Sequence, residues 1–313
     1  MSTSFLGAEN FSFISSGSGG GGGGGAAVII LGAGLGSSVR CGVNNTASGA
    51  YSFVAGESNS GIGNYSVVVG GQFNEACGCS SFVGGGQLNT ASGYCTFIGG
   101  GQYNTTVGIY SSVVGGQCNT TCGTCSFIGG GLQNVACSQY SAISGGFQAK
   151  TYLYGQHANA SGQFSAIGDA QSSYMVARKV ATLNASDTSI MSLDGTGVTG
   201  LIIPDGNNRS WNVTVEWVIV CTVLGTGTSG SLAVGGTHTG TDTFYFIRVG
   251  GTSSISAITN VSSHNTSGMA SSDVTITVGA SQQLQLTLVA PTTAGTGSTF
   301  RAVANVRVVE VAW

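Results

Sequence analysis

Charge is the scarcest thing in this chain. Lys, Arg, Asp and Glu together make up 6% of 313 residues, where a soluble domain ordinarily carries ~25%. From Cys41 to Ala149 only Glu57 and Glu75 are charged. The eight Lys and Arg are scattered and the formal net charge is -3, so nucleic acid is offered no basic face. Proline is nearly missing as well, with 2 residues, and the 55 glycines keep no Gly-X-Y period, which excludes collagen. No apolar run reaches the ~20 residues that a membrane helix needs; the longest, Ala26 to Leu35, is interrupted by Gly32 and Gly34. No Lys or Arg precedes Arg40, so the basic opening of a secretory signal is missing. Synthesis in a cytoplasm without membrane insertion is the expectation. Apolar, glycine-rich and periodic, the chain is the opposite of a disordered composition.

What is there is a repeat. Asn59, Asn74, Asn89, Asn104, Asn119 and Asn134 recur every 15 residues, and so do Ser66, Ser81, Thr96, Ser111, Ser126 and Ser141. Val68, Val83, Ile98, Val113, Ile128 and Ile143 keep the same period, as do glycine pairs from Gly70-Gly71 to Gly145-Gly146. Fifteen residues is too short for a helix pair, and branched aliphatics between turn glycines indicate one coil of a β-solenoid per repeat. The Val/Ile column, always apolar and branched, is expected to point into the coil. The Asn column is expected to stack into a ladder bonding the turns above and below. The glycine pairs, and Gly63, Gly78, Gly93, Gly108 and Gly123, are expected to allow positive φ or close backbone approach, and Asn, Gln, Ser and Thr to form the surface. About eight coils from near Arg40 to Gly168, one of them a residue short between Ser52 and Ser66, would rise ~4.8 Å each and span roughly 40 Å. So small an interior leaves Phe82, Phe97 and Phe127, with Val67 in the same column, facing outward; a trimer of coils about a threefold axis would bury them.

The pattern Asn-x-Ala-x-Gly-x-x-Ser-x-Val/Ile-x-Gly, as in Asn89 to Gly100 and Asn45 to Gly56, resembles the head repeats of trimeric autotransporter adhesins. The resemblance covers residues 41–168, about 40% of the chain. It implies a trimeric left-handed parallel β-roll, although cysteine at several columns departs from such heads. After Gly168 the period stops. Alternation in Trp211–Trp217, Val274–Val278, Leu284–Leu288 and Phe300–Val306 indicates an antiparallel β domain, and about eight strands in ~130 residues indicate a β-sandwich or jelly-roll-like knob. Leu201-Ile-Ile-Pro-Asp-Gly206, then Trp211-Asn-Val-Thr-Val-Glu, closing on Val308-Val-Glu-Val-Ala-Trp313, resembles the C-terminal domains of phage tail-fibre proteins.

The fold class expected is therefore all-β, a solenoid followed by an antiparallel knob. The divisions are 1–25, an attachment peptide (residues 1–16) and Gly-rich tether; 26–168, the solenoid; 169–179, a neck; and 180–313, the knob. Strand-like Ala26 to Gly36 imitates a dinucleotide turn through Gly32-x-Gly34. The third glycine is Ser37 and no helical period follows, so no cofactor is expected.

Of nine cysteines, Cys77, Cys122 and Cys137 share one column and Cys95 and Cys125 another; Cys41, Cys79, Cys118 and Cys221 stand elsewhere. Cys122 and Cys137, one coil apart, would lie ~4.8 Å from each other, inside the range for a disulfide. Cys77, Cys95, Cys118, Cys122, Cys125 and Cys137 are the candidates for cross-links along or between chains; the alternative is a reduced, small apolar filler. Cys122-Gly-Thr-Cys125 has CxxC spacing but no second pair at finger spacing and no βαβ context, so no metal is expected. His157, His238 and His264 lie apart, and Asp194, Asp205, Glu216, Asp242, Asp273 and Glu310 are dispersed. No Gly-x-Ser-x-Gly elbow occurs, and no catalytic residue is assigned. These features converge on a homotrimeric, non-enzymatic virion fibre, a bacteriophage tail fibre attached through residues 1–16 and meeting a host cell-surface glycan or protein with its knob. The competing readings are a bacterial trimeric surface adhesin, a capsid or head decoration fibre, and a glycan depolymerase spike.

Overall fold

The computed structural model describes residues 29–40, 44–196, 201, 208–279 and 282–312. The attachment peptide and tether, Cys41, Asp205, most of the 201–206 segment and Trp313 lie outside them. The described residues are all-β and make about eight turns of solenoid. None of them forms a helix long and apolar enough to cross a membrane. The chain divides into two compact units, Met1–Val107 and Gly108–Trp313.

In the first unit each coil supplies two very short strands. One set, Ser38–Arg40, Phe53–Val54, Val67–Val68, Phe82–Val83 and Phe97–Ile98, pairs in parallel. The opposite set is Thr46–Ala47, Ser60–Gly61, Glu75–Ala76, Thr90–Ala91 and Thr105–Thr106. The register advances one repeat per coil, Phe82 opposite Phe97, and the short spacing is absorbed where Phe53 meets Val67. Ile29–Leu31 closes the end antiparallel to Ser38–Arg40. The apolar side chains between the sets are Val39, Ala47, Val54, Val68, Ala76, Val83, Ala91 and Ile98, with buried Thr106 following Ala91 in the small column. A branched aliphatic from one strand fills the space over an alanine of the other, which is why one column must be large and the other small.

Two backbone devices turn the corners. Gly63 and Gly78 have no positive φ; they are needed for contact, since a Cβ on Gly78 would sit 1.9 Å from the Gly93 carbonyl oxygen. Within each glycine pair the roles divide. Gly71 and Gly86 take φ of 81° and 86° and have no room for a Cβ, whereas one on Gly70 or Gly100 would meet nothing within 4 Å. The left-handed conformation is carried elsewhere by non-glycine residues, Tyr65, Ser80 and Cys95 in one column and Phe73, Leu88 and Tyr103 in another, all with φ between 52° and 59°. Such a residue costs roughly 1–2 kcal/mol. What holds it is an N–H bond to the previous coil, as from Ser80 to Asn64 and from Leu88 to Gln72.

The second unit begins with the same construction. Ser112–Val113, Phe127–Ile128, Ala142–Phe147 and His157–Ser161 face Thr120–Thr121, Val135–Ala136 and Lys150–Thr151. His157–Ser161 then pairs antiparallel with the first strand of the C-terminal domain. That domain has strands β1 (Ala170–Leu183), β2 (Thr188–Ile190), β3 (Arg209–Val223), β4 (Thr237–Val249), β5 (Thr252–Ile255), β6 (Thr259–Asn265), β7 (Asp273–Val278), β8 (Leu284–Val289) and β9 (Ser298–Ala312). Of residues 169–179, read as a neck, 170–179 are the first part of β1, which pairs with β9 along its whole length. One antiparallel sheet runs β1-β9-β3-β4, with β5 and β6 both on the far edge of β4; a smaller sheet runs β2-β8-β7. Trp211, Trp217, Phe246, Phe300, Leu286 and Leu288 are buried in the core these strands share. The two layers are unequal, unlike the paired four-stranded sheets of a jelly roll.

Candidate functional site

The Asn column is an internal element and not a surface one. Asn59, Asn74, Asn89, Asn104, Asn119 and Asn134 are all at most 1% exposed, which corrects the expectation of an amide surface. Asn74 shows the chemistry: its Nδ2 donates to the carbonyls of Gly70 at 3.1 Å and Gly86 at 2.9 Å. Its Oδ1 accepts the backbone N–H of Asn89 at 3.0 Å and the Asn89 Nδ2 at 3.0 Å. The second unit repeats this: Asn134 donates to Asn119, Gly130 and Gly146, and accepts from the Ala149 N–H. One amide therefore satisfies its own turn and both neighbouring coils, which only a side chain with a donor and an acceptor can do. The surface amides that the period alone did not single out are glutamines, with Gln72 donating to Glu57 and Gln102 to Gln87; in the neighbouring column Gln148, itself buried, donates to Gln133. Val68, Val83, Ile98, Val113, Ile128 and Ile143 are fully buried.

The described cysteines of the coils stand on their outside. Cys122 and Cys137 are one coil apart, their α-carbons 4.4 Å from each other and their sulfurs in contact. Cys77, Cys79, Cys95, Cys118 and Cys125 are free and half-buried, and Cys221 is free and buried. Burial, then the hydrogen bond and charge of Glu75, push the Cys77 thiol up to about 12, so it is a poor nucleophile at neutral pH. Cys125 is not brought to the Cys122–Cys137 pair by any bond, and among the described residues no group of three His, Cys, Asp or Glu is placed to hold a metal.

One row of outward side chains crosses the large sheet of the second unit. Phe127 lies opposite Ala142, Ala142 opposite His157, His157 opposite Tyr174, Tyr174 opposite Arg307 and Arg307 opposite Thr214. Phe127 is 41% exposed and Tyr174 49%. Along β1 and β9 the same face shows Val176, Val180, Val303, Val309 and Val311, all exposed. In the first unit, Phe82 and Phe97 occupy the same column and stack with ring centres 5.3 Å apart.

Two buried polar groups lie behind this sheet. At the last coil, the Tyr152 hydroxyl, the Arg209 guanidinium and the Gln171 amide converge on the Glu310 carboxylate. The Arg209 guanidinium carbon also lies 5.5 Å from the centre of the Tyr152 ring. Burial raises the Tyr152 hydroxyl well above its ordinary range, and the charge of Glu310 adds to this against the opposing pull of Arg209, so Tyr152 is a donor to the carboxylate. Beside it, burial opposes ionisation of Asp169, but the N–H groups of Ser165, Ala166 and Phe164 and the Ser165 hydroxyl outweigh it and hold the carboxyl below its usual range. Their bonds to the carboxylate measure 2.6–2.8 Å from the three amides.

The second group brings together residues that are dispersed in the sequence. Asp242 accepts the Trp217 indole N–H at 2.8 Å and the Asn260 amide at 3.0 Å. His238 is bonded through Nδ1 to the Ser272 carbonyl at 2.7 Å and packs edge-on against Trp217. Asp242, Asn260 and Asp273 line an open cavity of about 360 Å³ together with Ile258 and Thr275. Partial burial, and secondarily the charge of Asp242, raise the Asp273 carboxyl. Glu216 belongs to the other face of the sheet, where Asn305 reaches it at 3.4 Å. One signal for these groups was in the sequence. Arg209, Asp242 and Glu310 all fall on the buried phase of an alternating strand, where a charge must have a partner.

No protein-family model matches the sequence, and no curated protein matches it either. Among solved structures, the tailspike protein of Acinetobacter baumannii phage AM24 is similar at 7% identity and a TM-score of 0.26, over 88% of this chain and 59% of that one. The tailspike protein of Acinetobacter phage vB_ApiP_P1 is similar at 10% identity and a TM-score of 0.24, over 86% of this chain and 67% of that one. The chain spans less than two thirds of the first of them. The described residues form a β-solenoid of stacked coils joined to an antiparallel β domain, and the structural neighbours of this chain are phage tailspikes.

Proposed function

We propose that this chain is a homotrimeric, non-enzymatic fibre protein of a virion, a bacteriophage tail fibre. Its coils act as a stiff spacer and residues 180–313 as the end that meets a host cell-surface glycan or protein. The observation that carries the trimer is the exposed row from Phe127 through Tyr174, continuous in one sheet with the valine face of β1 and β9. Exposed apolar patches of that kind mark association surfaces. A column repeating every 15 residues is matched along its length by a surface of the same period, and another copy of the chain has one. The virion assignment rests on the resemblance of residues 180–313 to phage tail-fibre domains, with residues 1–16 as the attachment peptide. Three weak receptor contacts on one rigid frame then act together, and a Cys122–Cys137 disulfide ties two coils within a chain.

The test is the mass of the purified protein in SDS, unheated and boiled, with and without reductant. A trimer of about 93 kDa, three times the 31.0 kDa chain, that resists SDS and collapses only on boiling supports the reading. A 31.0 kDa species on native sizing sinks it. A glycan depolymerase is the second reading, favoured by Asp242 and Asp273 on one cavity, since glycoside hydrolysis uses two facing carboxylates. Reducing sugar released from host capsule, and abolished by Asp273→Asn, would replace the non-enzymatic assignment.

A further inference from the structure

Cys79 and Cys95 occupy different columns, so their 15-residue phases give no hint of a pair. The fold brings them together. The N–H of Cys95 donates to the carbonyl of Cys79 at 2.9 Å, one coil below. A backbone bond of that length puts the two α-carbons on the order of 5–6 Å apart, within the ~4.4–6.8 Å that a disulfide requires. Side-chain direction agrees. The Cys79 Sγ lies 3.8 Å from the Ser80 Oγ, and Ser80 belongs to the same left-handed column as Cys95, with φ of 57° and 52°. Side chains of this column rest on one another from coil to coil, as the Tyr51 and Tyr65 rings show with centres 5.3 Å apart. The Cys79 sulfur therefore leans toward the column position that carries the Cys95 sulfur one coil on. Both are free thiols and half-buried. Cys77, next but one to Cys79, is a poor competitor because its thiol is held protonated by burial and Glu75.

We propose that Cys79 and Cys95 are an oxidation site, closing into a diagonal disulfide between adjacent coils of the first unit when the protein meets a small-molecule disulfide such as oxidised glutathione. The thiolate of one cysteine attacks the glutathione disulfide and releases one glutathione thiolate, leaving a mixed disulfide. The second cysteine's thiolate attacks the protein sulfur of that mixed disulfide and displaces the other glutathione. Two protein thiols are oxidised, one glutathione disulfide is reduced, and the two protons leave with the two glutathione thiols. The bond joins the outer corner of one coil to the left-handed residue of the next, so it holds in place a backbone conformation that is otherwise kept by a single N–H bond. In a reducing cytoplasm both thiols stay free; in an oxidising medium the coils are locked.

The experiment is peptide mapping of the full chain after incubation with oxidised glutathione and alkylation of the remaining thiols. A Cys79–Cys95 linked peptide two hydrogens lighter than its parts, cleaved by reductant, is the expected result, and both thiols alkylated without oxidant is its control. Cys79→Ser is expected to leave Cys95 as a glutathione adduct or an alkylated thiol, and Cys95→Ser the converse. The proposal is overturned if both residues stay alkylable after oxidation, or if either links to Cys77, to Cys125 or to another chain. Native size and circular dichroism of the two serine variants, unchanged from the parent, separate loss of the bond from loss of the fold.

Discussion

Replacing Asn74 by alanine tests whether the amide column holds the coils together or merely fills space. Asn74 is 1% exposed and Asn89 is fully buried, so water cannot substitute for what the amide supplies. In Asn74→Ala the Asn89 N–H loses the Oδ1 that accepts it at 3.0 Å, and the Gly70 carbonyl loses its 3.1 Å donor. The Gly86 carbonyl keeps the Gln72 N–H at 2.9 Å and is not orphaned. The buried Asn89 N–H without a partner costs about 1–3 kcal/mol, and the half-buried Gly70 carbonyl, which keeps the Asn59 Nδ2 at 3.5 Å, adds less, so the loss comes to about 2–4 kcal/mol. That is a large share of the ~5–15 kcal/mol that holds a domain folded. Urea unfolding of the full chain, with amide hydrogen exchange at Asn89, measures both the sum and its place. Asn74→Asp is expected to do no better than alanine: it keeps an acceptor for Asn89, donates to nothing when ionised, and buries a charge. A loss below about 1 kcal/mol with protection at Asn89 unchanged would refute the account, and so would an aspartate variant as stable as the parent.

Other outcomes follow from the same geometry. Gly78→Ala, whose Cβ would meet the Gly93 carbonyl oxygen at 1.9 Å, should destabilise strongly, whereas Gly70→Ala, with nothing within 4 Å, should be neutral or gain about 0.4–1 kcal/mol from a stiffer unfolded chain; paired thermal melts decide. Arg209→Met leaves Glu310 buried without its cation and should cost about 3–5 kcal/mol, with an Arg209→Met, Glu310→Leu double variant recovering most of it. Asp169 has a folded pKa below its unfolded value. Its contribution is therefore complete above the unfolded pKa of ~3.9 and is lost as pH falls through the lower folded value; Asp169→Asn should flatten that acid limb. Phe127→Ser, at a side chain 41% exposed, should lower resistance to SDS while leaving the circular dichroism of the chain unchanged; an unaltered SDS-resistant band would remove the outward row from the trimer contact.

The solenoid was legible because its information is local and repeated. A column that is always branched and apolar can only face inward, and Val68 and Ile98 are at 0% exposure. What the period left undecided is which residues bear each constraint. Glycine was expected to allow positive φ or close backbone approach, as Gly71 and Gly78 do; that Tyr65 and Leu88 take positive φ as well was not legible, because an inter-coil N–H bond stabilises what the side chain disfavours. The burial of Asn was missed for a related reason. A polar residue reads as surface until its partners are counted, and those of the Asn74 side chain lie in its own turn and the next coil, while its N–H reaches Asn59 in the coil before. The C-terminal groups were illegible for a different reason. Tyr152 and Glu310 are 158 residues apart, and no local pattern sets that distance. Their phase on the strand was the one available trace.

The Asn column also bears on how such a chain changes over generations. Each rung makes the same bonds to the rung before and the rung after, so a coil has no identity beyond its place in the queue. Duplicating residues 74–88 would insert a segment whose first amide accepts and donates as Asn74 does, and whose glycines meet glycines at either boundary. Reach then becomes a quantity inherited in whole steps of ~4.8 Å, adjustable by unequal recombination between near-identical stretches of gene, without redesign of either end. A deletion larger than the corners can absorb, unlike the one residue missing between Ser52 and Ser66, would shift the columns against one another, and selection would see it at once.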